Sequence, residues 1–337
     1  MAKKESYRCG VVGYGGAFNM GQTHLTSMSR NARMEVAAVC ELDPARRKVA
    51  EEDFPGIKTY GRVGNMLGDA DLDLVTIITP HNTHAPLAIQ CLKAGVNVIC
   101  EKPMAITSRE VKDMIAAAKR QKVMLSTFHN RRWDGDFQTL RDLILKEKII
   151  GRVHRVEAGF SGYGQQGTWW RSDRKISGGA IYDWGAHFTD WILNIVPDEL
   201  DWVSGYQVKN KEWKAYSNED HSEYTVRFKG GCLATLTISN LSMSGRSRWR
   251  ILGERGSIED SGGKFLVKTL VNGRQMSTEV AFAESNWHAY YENIYRHLMG
   301  RAKLVITPES AARVIGVLEA ANTSAGSNSA PVKPAFI

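Results

Sequence analysis

An apolar run over residues 7–13 leads directly into Gly13-Tyr14-Gly15-Gly16-Ala17-Phe18. A glycine turn at the end of a strand lets backbone approach a pyrophosphate, and the helix that follows offers its N-terminus to the negative charge. The spacing departs from G-x-G-x-x-G: Phe18 stands at the third glycine position and the next glycine is Gly21. Glu41 ends a second apolar run, 28 residues after Gly13. A carboxylate there can accept from both ribose hydroxyls of an adenosine and would repel a 2′-phosphate, which favours NAD over NADP. Arg46 and Arg47 stand close enough in sequence to blur that preference.

Two further loops follow apolar runs. Thr79-Pro80-His81-Asn82-Thr83-His84 comes after residues 72–79, and Glu101-Lys102-Pro103 after residues 97–100. Both are expected at the carboxyl edge of a parallel sheet, where ligands bind in open α/β folds. His84 reads equally as a cofactor contact or as the start of the next helix. Lys102, between apolar strand and proline, can donate to a substrate hydroxyl or take its proton if desolvation lowers its pKa. In the second half, Asp183 and His187 lie four apart on a helix expected over 180–196, beside an apolar stripe of Ile181, Trp184, Phe188, Trp191 and Ile195. A half-buried histidine there can titrate near neutrality. Trp133, Tyr163, Trp169 and Trp170, with Arg171, supply rings of the kind that pack on the C–H faces of sugars. Asn130-Arg131-Arg132 opens the second half; Asn130 and Arg131 are candidate substrate contacts, whereas Arg132 suits a structural salt bridge equally well.

The elements that must hold these residues change character near residue 130. Before it, strands at 7–13, 35–41, 72–79, 97–100 and 123–128 alternate with helices at 20–30, 44–54, 84–94 and 108–121. That alternation predicts a parallel sheet with right-handed crossovers. After it come a helix at 137–146, a strand at 151–160, the helix at 180–196, and strands at 201–208, 223–229, 232–240, 248–258 and 264–271. Asn272-Gly273 is a hairpin signal, and helices at 287–299 and 308–323 close the chain. The fold class is therefore α/β: a dinucleotide-binding domain over 1–128 and an α+β domain with a large, mostly antiparallel open sheet over 129–337. The polar tail from Ser324 reads as loosely held.

The 337 residues, 43% hydrophobic and 24% charged, suit two folded domains and exclude disorder or coiled coil as whole-chain descriptions. No stretch approaches the ~18 uninterrupted apolar residues of a membrane span, and the N-terminus lacks the apolar core of a secretory signal. The expectation is a cytoplasmic protein with no membrane partner. The net charge of +8 is scattered, and no nucleic-acid-binding signature accompanies it. Cys9, Cys40, Cys91, Cys100 and Cys232 match no metal-ligand spacing and read as core residues in a reducing compartment; no metal is expected.

Taken together, these motifs identify the chain as resembling the Gfo/Idh/MocA oxidoreductases, named for glucose-fructose oxidoreductase, inositol dehydrogenase and a rhizopine-catabolism protein. The resemblance covers nearly the whole chain. It is carried by residues 13–21, by Thr79-Pro80 with His84, and by Glu101-Lys102-Pro103, whose lysine is the family hallmark. Ser177-Gly178-Gly179-Ala180 leading to Asp183, Gly185 and His187, and the closing Thr307-Pro308-Glu309, extend it. Ala180 departs from the glycine of many relatives. The resemblance implies a Rossmann domain, a nicotinamide cofactor and a sugar-like or polyol substrate. It also implies pairing of subunits, as a homodimer or homotetramer, through the second sheet. The expected activity is hydride transfer between NAD and a secondary alcohol of a sugar, a glycoside (at C3 for instance) or a cyclitol. His187 is the base, Asp183 orients it or binds a hydroxyl, and Lys102 hydrogen-bonds the reacting oxygen or is itself the base. The alternative is a redox-neutral glycosidase or epimerase that retains NAD and works through a transient ketone.

Overall fold

The structure, a computed structural model, describes Lys4 and residues 6–337. The chain divides into two compact units. The first takes the chain up to Ala105, Arg109–Phe128 and His288–Ala311; the second takes Ile106–Ser108, His129–Trp287 and Ala312–Ile337. Residues 288–311, assigned to the second domain on sequence, therefore belong with the first unit.

In the first unit, strands β1 (Tyr7–Val12), β2 (Met34–Cys40), β3 (Lys58–Tyr60), β4 (Leu74–Ile77), β5 (Asn97–Cys100) and β6 (Leu125–Thr127) form a six-stranded sheet in the order β3-β2-β1-β4-β5-β6. All neighbours run parallel. Helices α1 (Met20–Ser29), α2 (Pro44–Asp53), α3 (Val63–Asp69), α4 (His84–Lys93) and α5 (Ser108–Gln121) make the crossovers. All four residues of β4 are buried, as a strand covered on both faces requires. Local chemistry sets the ends: Pro44 opens α2 while Asp43 accepts from the Ala45 amide at 2.8 Å, and Gly95, at φ +80°, follows α4. The strand order reverses between β1 and β4, so the carboxyl ends of these two strands flank the crevice of a doubly wound sheet.

In the second unit, helices α6 (Gly135–Arg141), α7 (Arg174–Ser177) and α8 (Trp184–Ile195) accompany a sheet of eight strands. These are β7 (Val153–Ser161), β8 (Leu200–Val208), β9 (His221–Phe228), β10 (Leu233–Ser239), β11 (Trp249–Gly253), β12 (Gly256–Asp260), β13 (Lys264–Val271) and β14 (Arg274–Ala281), in the order β14-β13-β12-β11-β7-β10-β9-β8. Only β7 and β10 pair in parallel. Along β9, Ser222, Tyr224, Val226 and Phe228 are buried and alternate with half-exposed His221, Glu223, Thr225 and Arg227. One face is thus core and the other open. Helix α8 packs against β7 and β10, and Phe188, Trp191 and Trp249 meet at ring separations of 5.2–5.8 Å. Helix α9 (His288–Leu298) lies in the first unit, and α10 (Pro308–Ala325) ends the helical part of the chain.

The structure corrects three further readings. The single strand expected over 248–258 is the hairpin β11–β12, because the Glu254 and Arg255 amides donate to Arg152 and Ile150 carbonyls and turn the chain. The helix expected from 180 begins at Trp184, after a separate 3-10 turn at Ala180–Tyr182 whose Ile181 amide donates to Glu219 Oε1 at 3.1 Å. The tail is not loose. Ser324 is fully buried, accepts from the Gly205 amide and donates to the Ala330 carbonyl, and Val332 pairs with Val203.

Candidate active site

Gly13 leaves β1 at φ +102°, and a Cβ there would lie 2.1 Å from the Ile78 carbonyl oxygen. Gly21, in the first turn of α1, faces Tyr14 Cδ2 at 2.5 Å from the position of an added Cβ. Both glycines are steric requirements of the loop. Gly15 is different: it is exposed, and an added Cβ would meet nothing within 4 Å. Ala17 and Phe18 are exposed beside it, Phe18 by 56%. Helix α1 starts with no side-chain cap and no acidic residue in its first turn, so its leading amides and its dipole are left for an anion. These features fit the pyrophosphate of a dinucleotide.

Glu41 follows β2. Its Oε2 accepts from the Tyr14 amide at 2.6 Å and its Oε1 from the Asp43 amide at 3.0 Å. The carboxylate is held at the sheet edge, and each oxygen keeps a second lone pair for a hydroxyl. Arg46 Nε donates to the Tyr14 carbonyl at 2.9 Å, so the guanidinium lies along the glycine loop beside Gly16. Arg47 donates to the carbonyls of Glu41 and Leu42. Two cations thus flank the carboxylate that would face the ribose.

The loops after β4 and β5 are fastened together by His84. Its ring is fully buried, with Nε2 2.8 Å from the Thr79 carbonyl and Nδ1 2.8 Å from the Pro103 carbonyl. Burial pulls the imidazole below its ordinary pKa, against the two backbone bonds. With a carbonyl beside each nitrogen, only one of which a neutral ring can donate to, His84 stands between the two loops rather than facing solvent. Thr79 and Pro80 are half-buried, Asn82 is exposed, and Thr83 ties the turn by donating to Pro80 O at 2.6 Å. Lys102 is half-buried, and the Lys102–Pro103 peptide is cis. Glu101 accepts from the Lys102 amide at 2.8 Å and from His24 at 3.0 Å. Burial works to raise the Glu101 pKa, but the His24 bond and the charges of His24 and Lys102 outweigh it and hold the carboxyl below its ordinary value.

In the second unit, His187 on α8 is 5% exposed and ringed by Trp184 at 5.5 Å, Trp191 at 6.2 Å and His129 at 6.4 Å. Asp183 does not share the helix with it; it stands just before α8, and its Oδ1 accepts from Arg171 at 2.9 Å. The Arg171 guanidinium also lies over Trp169 and Trp170, 5.3 and 5.2 Å from their ring centres. Arg131 is held between Trp184 and Trp287 at 4.7 and 5.3 Å and bonds Asp134 at 2.9 Å. Asn130 is buried, and Tyr163 stands 57% exposed with its ring 5.6 Å from Trp213. Arg132 makes a buried two-pronged bond to Asp190, at 2.8 and 2.6 Å. Of the open alternatives for Arg132, the structural one holds.

Sequence reasoning missed His24, Tyr291, His129 and Glu219. His24 and Tyr291 lie within helices, His129 follows β6 and Glu219 lies in a polar loop before β9, and only the fold shows what each touches. The one sequence signal for His24 is its place three residues after Gly21, one turn along the same helix. Among the described residues, no group of three or more His, Cys, Asp or Glu is assembled as for a metal, and no helix is long and apolar enough to cross a membrane. The five cysteines are buried and unbridged.

Comparison with known proteins adds a family. The model for the GFO/IDH/MocA oxidoreductase family with an NAD-binding Rossmann fold matches residues 7–129, and that for the GFO/IDH/MocA C-terminal domain matches residues 137–259. The chain is 25% identical over 344 residues to scyllo-inositol 2-dehydrogenase (NADP(+)) IolW of Bacillus subtilis, covering 96% of this chain and 94% of that one. It is 26% identical over 254 residues to myo-inositol 2-dehydrogenase of Thermotoga maritima, covering 74% of each. Among solved structures, an NAD-binding protein from Listeria innocua superposes with a TM-score of 0.84 at 27% identity, covering 98% of this chain and 97% of that one.

Proposed function

The chain belongs to the GFO/IDH/MocA oxidoreductases, and from that premise we propose that it transfers hydride between NAD(H) and a secondary alcohol of a cyclitol or sugar. The observation that carries the proposal is the edge of the first sheet, where a glycine cradle, the anchored Glu41 and the braced Lys102 loop follow β1, β2 and β5. Inositol dehydrogenases among the relatives support a cyclitol ahead of other polyols. A glycoside oxidised at C3 stays within the same proposal, because the same groups serve any secondary carbinol.

In this account the α1 N-terminus and the Gly15 amide face the pyrophosphate, and Glu41 takes the ribose hydroxyls. The bound nicotinamide supplies the hydride acceptor. Lys102 donates a hydrogen bond to the reacting oxygen and stabilises its alkoxide character. His187 takes the hydroxyl proton, and its aromatic surround keeps water from competing for it. Asp183, already paired with Arg171, fits the role of hydroxyl acceptor better than that of a support for His187. The exposed rings of Trp169 and Tyr163 offer stacking faces for a polyol.

NAD is the proposed cofactor because the Glu41 carboxylate, tied to two backbone amides, cannot swing away from a 2′-phosphate. Fluorescence titration with NADH and NADPH tests this directly. NADH should bind more tightly, and Glu41→Ala should weaken NADH about tenfold while improving NADPH, drawn by Arg46 and Arg47. Tighter NADPH binding by the wild type would reject the assignment. For catalysis, Lys102→Met and His187→Gln should each lower kcat by about 10²–10⁴ with NADH affinity retained; wild-type kcat in either would remove that residue from the mechanism. We also propose that the open face of the second sheet pairs two copies, a reading that a monomer in light scattering would reject.

A further inference from the structure

Behind Lys102 lies a chain of polar groups that the mechanism above does not use. His24, on α1, is fully buried, with its ring centre 4.3 Å from that of Phe128. Its Nε2 is 3.0 Å from Glu101 Oε1 and its Nδ1 2.6 Å from the Tyr291 hydroxyl, on α9. The Tyr291 oxygen is itself 3.5 Å from Thr76 Oγ1 on β4. Glu101 Oε2 accepts from the backbone amide of Lys102 at 2.8 Å. An ionised carboxylate only accepts, so Nε2 donates to Glu101, and Nδ1 meets a Tyr291 hydroxyl that can donate or accept.

We propose that His24 and Tyr291 are positioning residues for Lys102: through Glu101 they fix the peptide that carries the lysine. The inference rests on the reading of Lys102 as the group at the reacting oxygen. Three parts of the chain remote in sequence meet in this network, namely α1, the loop after β5, and α9. Helix α9 is held at the neighbouring position too, where Tyr290 donates to Ser126 Oγ at 3.2 Å. Apolar residues would fill this space without the cost of burying four polar side chains. A satisfied buried network instead fixes one geometry. Here the geometry fixed is that of the Lys102 backbone, one bond from the network's end.

Tyr291→Phe removes one hydroxyl and keeps the ring, so it tests the chain with least disturbance to the fold. His24→Leu and His24→Gln form a second pair, because the glutamine amide restores a donor toward Glu101. Three readouts are taken on the full-length protein: NADH affinity by fluorescence, kcat with its pH profile on whichever polyol turns over, and the acetylation rate of Lys102 by acetic anhydride, read by peptide mass spectrometry. The expected result is NADH affinity within about threefold of wild type and a kcat about tenfold lower for Tyr291→Phe. The Lys102 acetylation rate and the pH profile of kcat should both differ from wild type. His24→Leu should lose more, and His24→Gln should recover part of the loss.

Wild-type kcat, pH profile and Lys102 acetylation in Tyr291→Phe, with Lys102→Met inactive, would overturn the positioning role and leave the reading of Lys102 intact. Full activity in Lys102→Met would overturn that reading, and the proposal with it. If His24→Leu does not fold, Tyr291→Phe alone decides.

Discussion

At Gly15 an added methyl group would meet no protein atom within 4 Å, whereas at Gly13 it would strike the Ile78 carbonyl at 2.1 Å. The two glycines therefore predict opposite phenotypes. Gly15→Ala should melt within a few degrees of wild type and yet lose NADH affinity, because the space it fills is the proposed cradle for the pyrophosphate. Gly13→Ala should be destabilised through strain at φ +102° and the clash with backbone. Thermal melts paired with NADH titration check both, and unchanged NADH affinity in Gly15→Ala would place the pyrophosphate elsewhere. At this scale much of the candidate site was legible in the sequence. Gly13, Glu41 and Lys102 each follow a strand and could be placed at a sheet edge from period and punctuation alone. What each side chain touches was not legible. His84 turns inward onto two carbonyls, and Asp183 pairs with Arg171, whose side chain must fold back across the tryptophans to reach it. Such contacts depend on rotamers and on residues distant in sequence, which spacing along one helix does not encode.

Among the elements, α8 shows how a candidate base is held. Its buried face packs Phe188 and Trp191 against the second sheet, while Asp190, one turn beyond His187, is locked to Arg132. Asp190→Asn would leave the Arg132 guanidinium buried without its counter-charge, and the expected loss of stability is about 3–5 kcal/mol. The pH dependence has a definite sign. Burial works to raise the Asp190 pKa, but the charges of Arg132 and His129 outweigh it and hold the carboxyl below its ordinary value. Its contribution is therefore fully present above the unfolded-state value of about 3.9 and is lost as the pH falls through the lower folded-state value. Denaturant unfolding of wild type and Asp190→Asn should thus show a gap that is constant near neutrality and narrows below about pH 4. A gap that widens in acid would contradict the assignment. Element types were legible wherever the period was long, as in β9, where buried and half-exposed residues alternate over the whole strand. The boundaries at 180 and 254 were not, because Glu219 and the carbonyls of residues 150 and 152 impose them from outside the segment.

At the scale of the whole molecule, the chain after Phe128 builds most of the second unit, returns residues 288–311 to the first, and ends in the second. A linear reading of domains misses such a return, since nothing in the amphipathic pattern of α9 says which core it faces. The tyrosines do: Tyr290 and Tyr291 are buried against Phe128 and His24 of the first unit. The family and the two-unit plan, by contrast, followed from the order of the motifs along the chain. The proposed activity is net hydride transfer to external NAD from a secondary alcohol. The most direct test denatures part of the purified protein to detect released nucleotide. The remainder is then followed by nicotinamide absorbance as myo-inositol, scyllo-inositol, free sugars and glycosides are added with NAD. Many turnovers of NADH per subunit are expected with one class of polyol. Product forming while the nucleotide is reduced at most once per subunit, or no affinity for either nicotinamide dinucleotide, would contradict it.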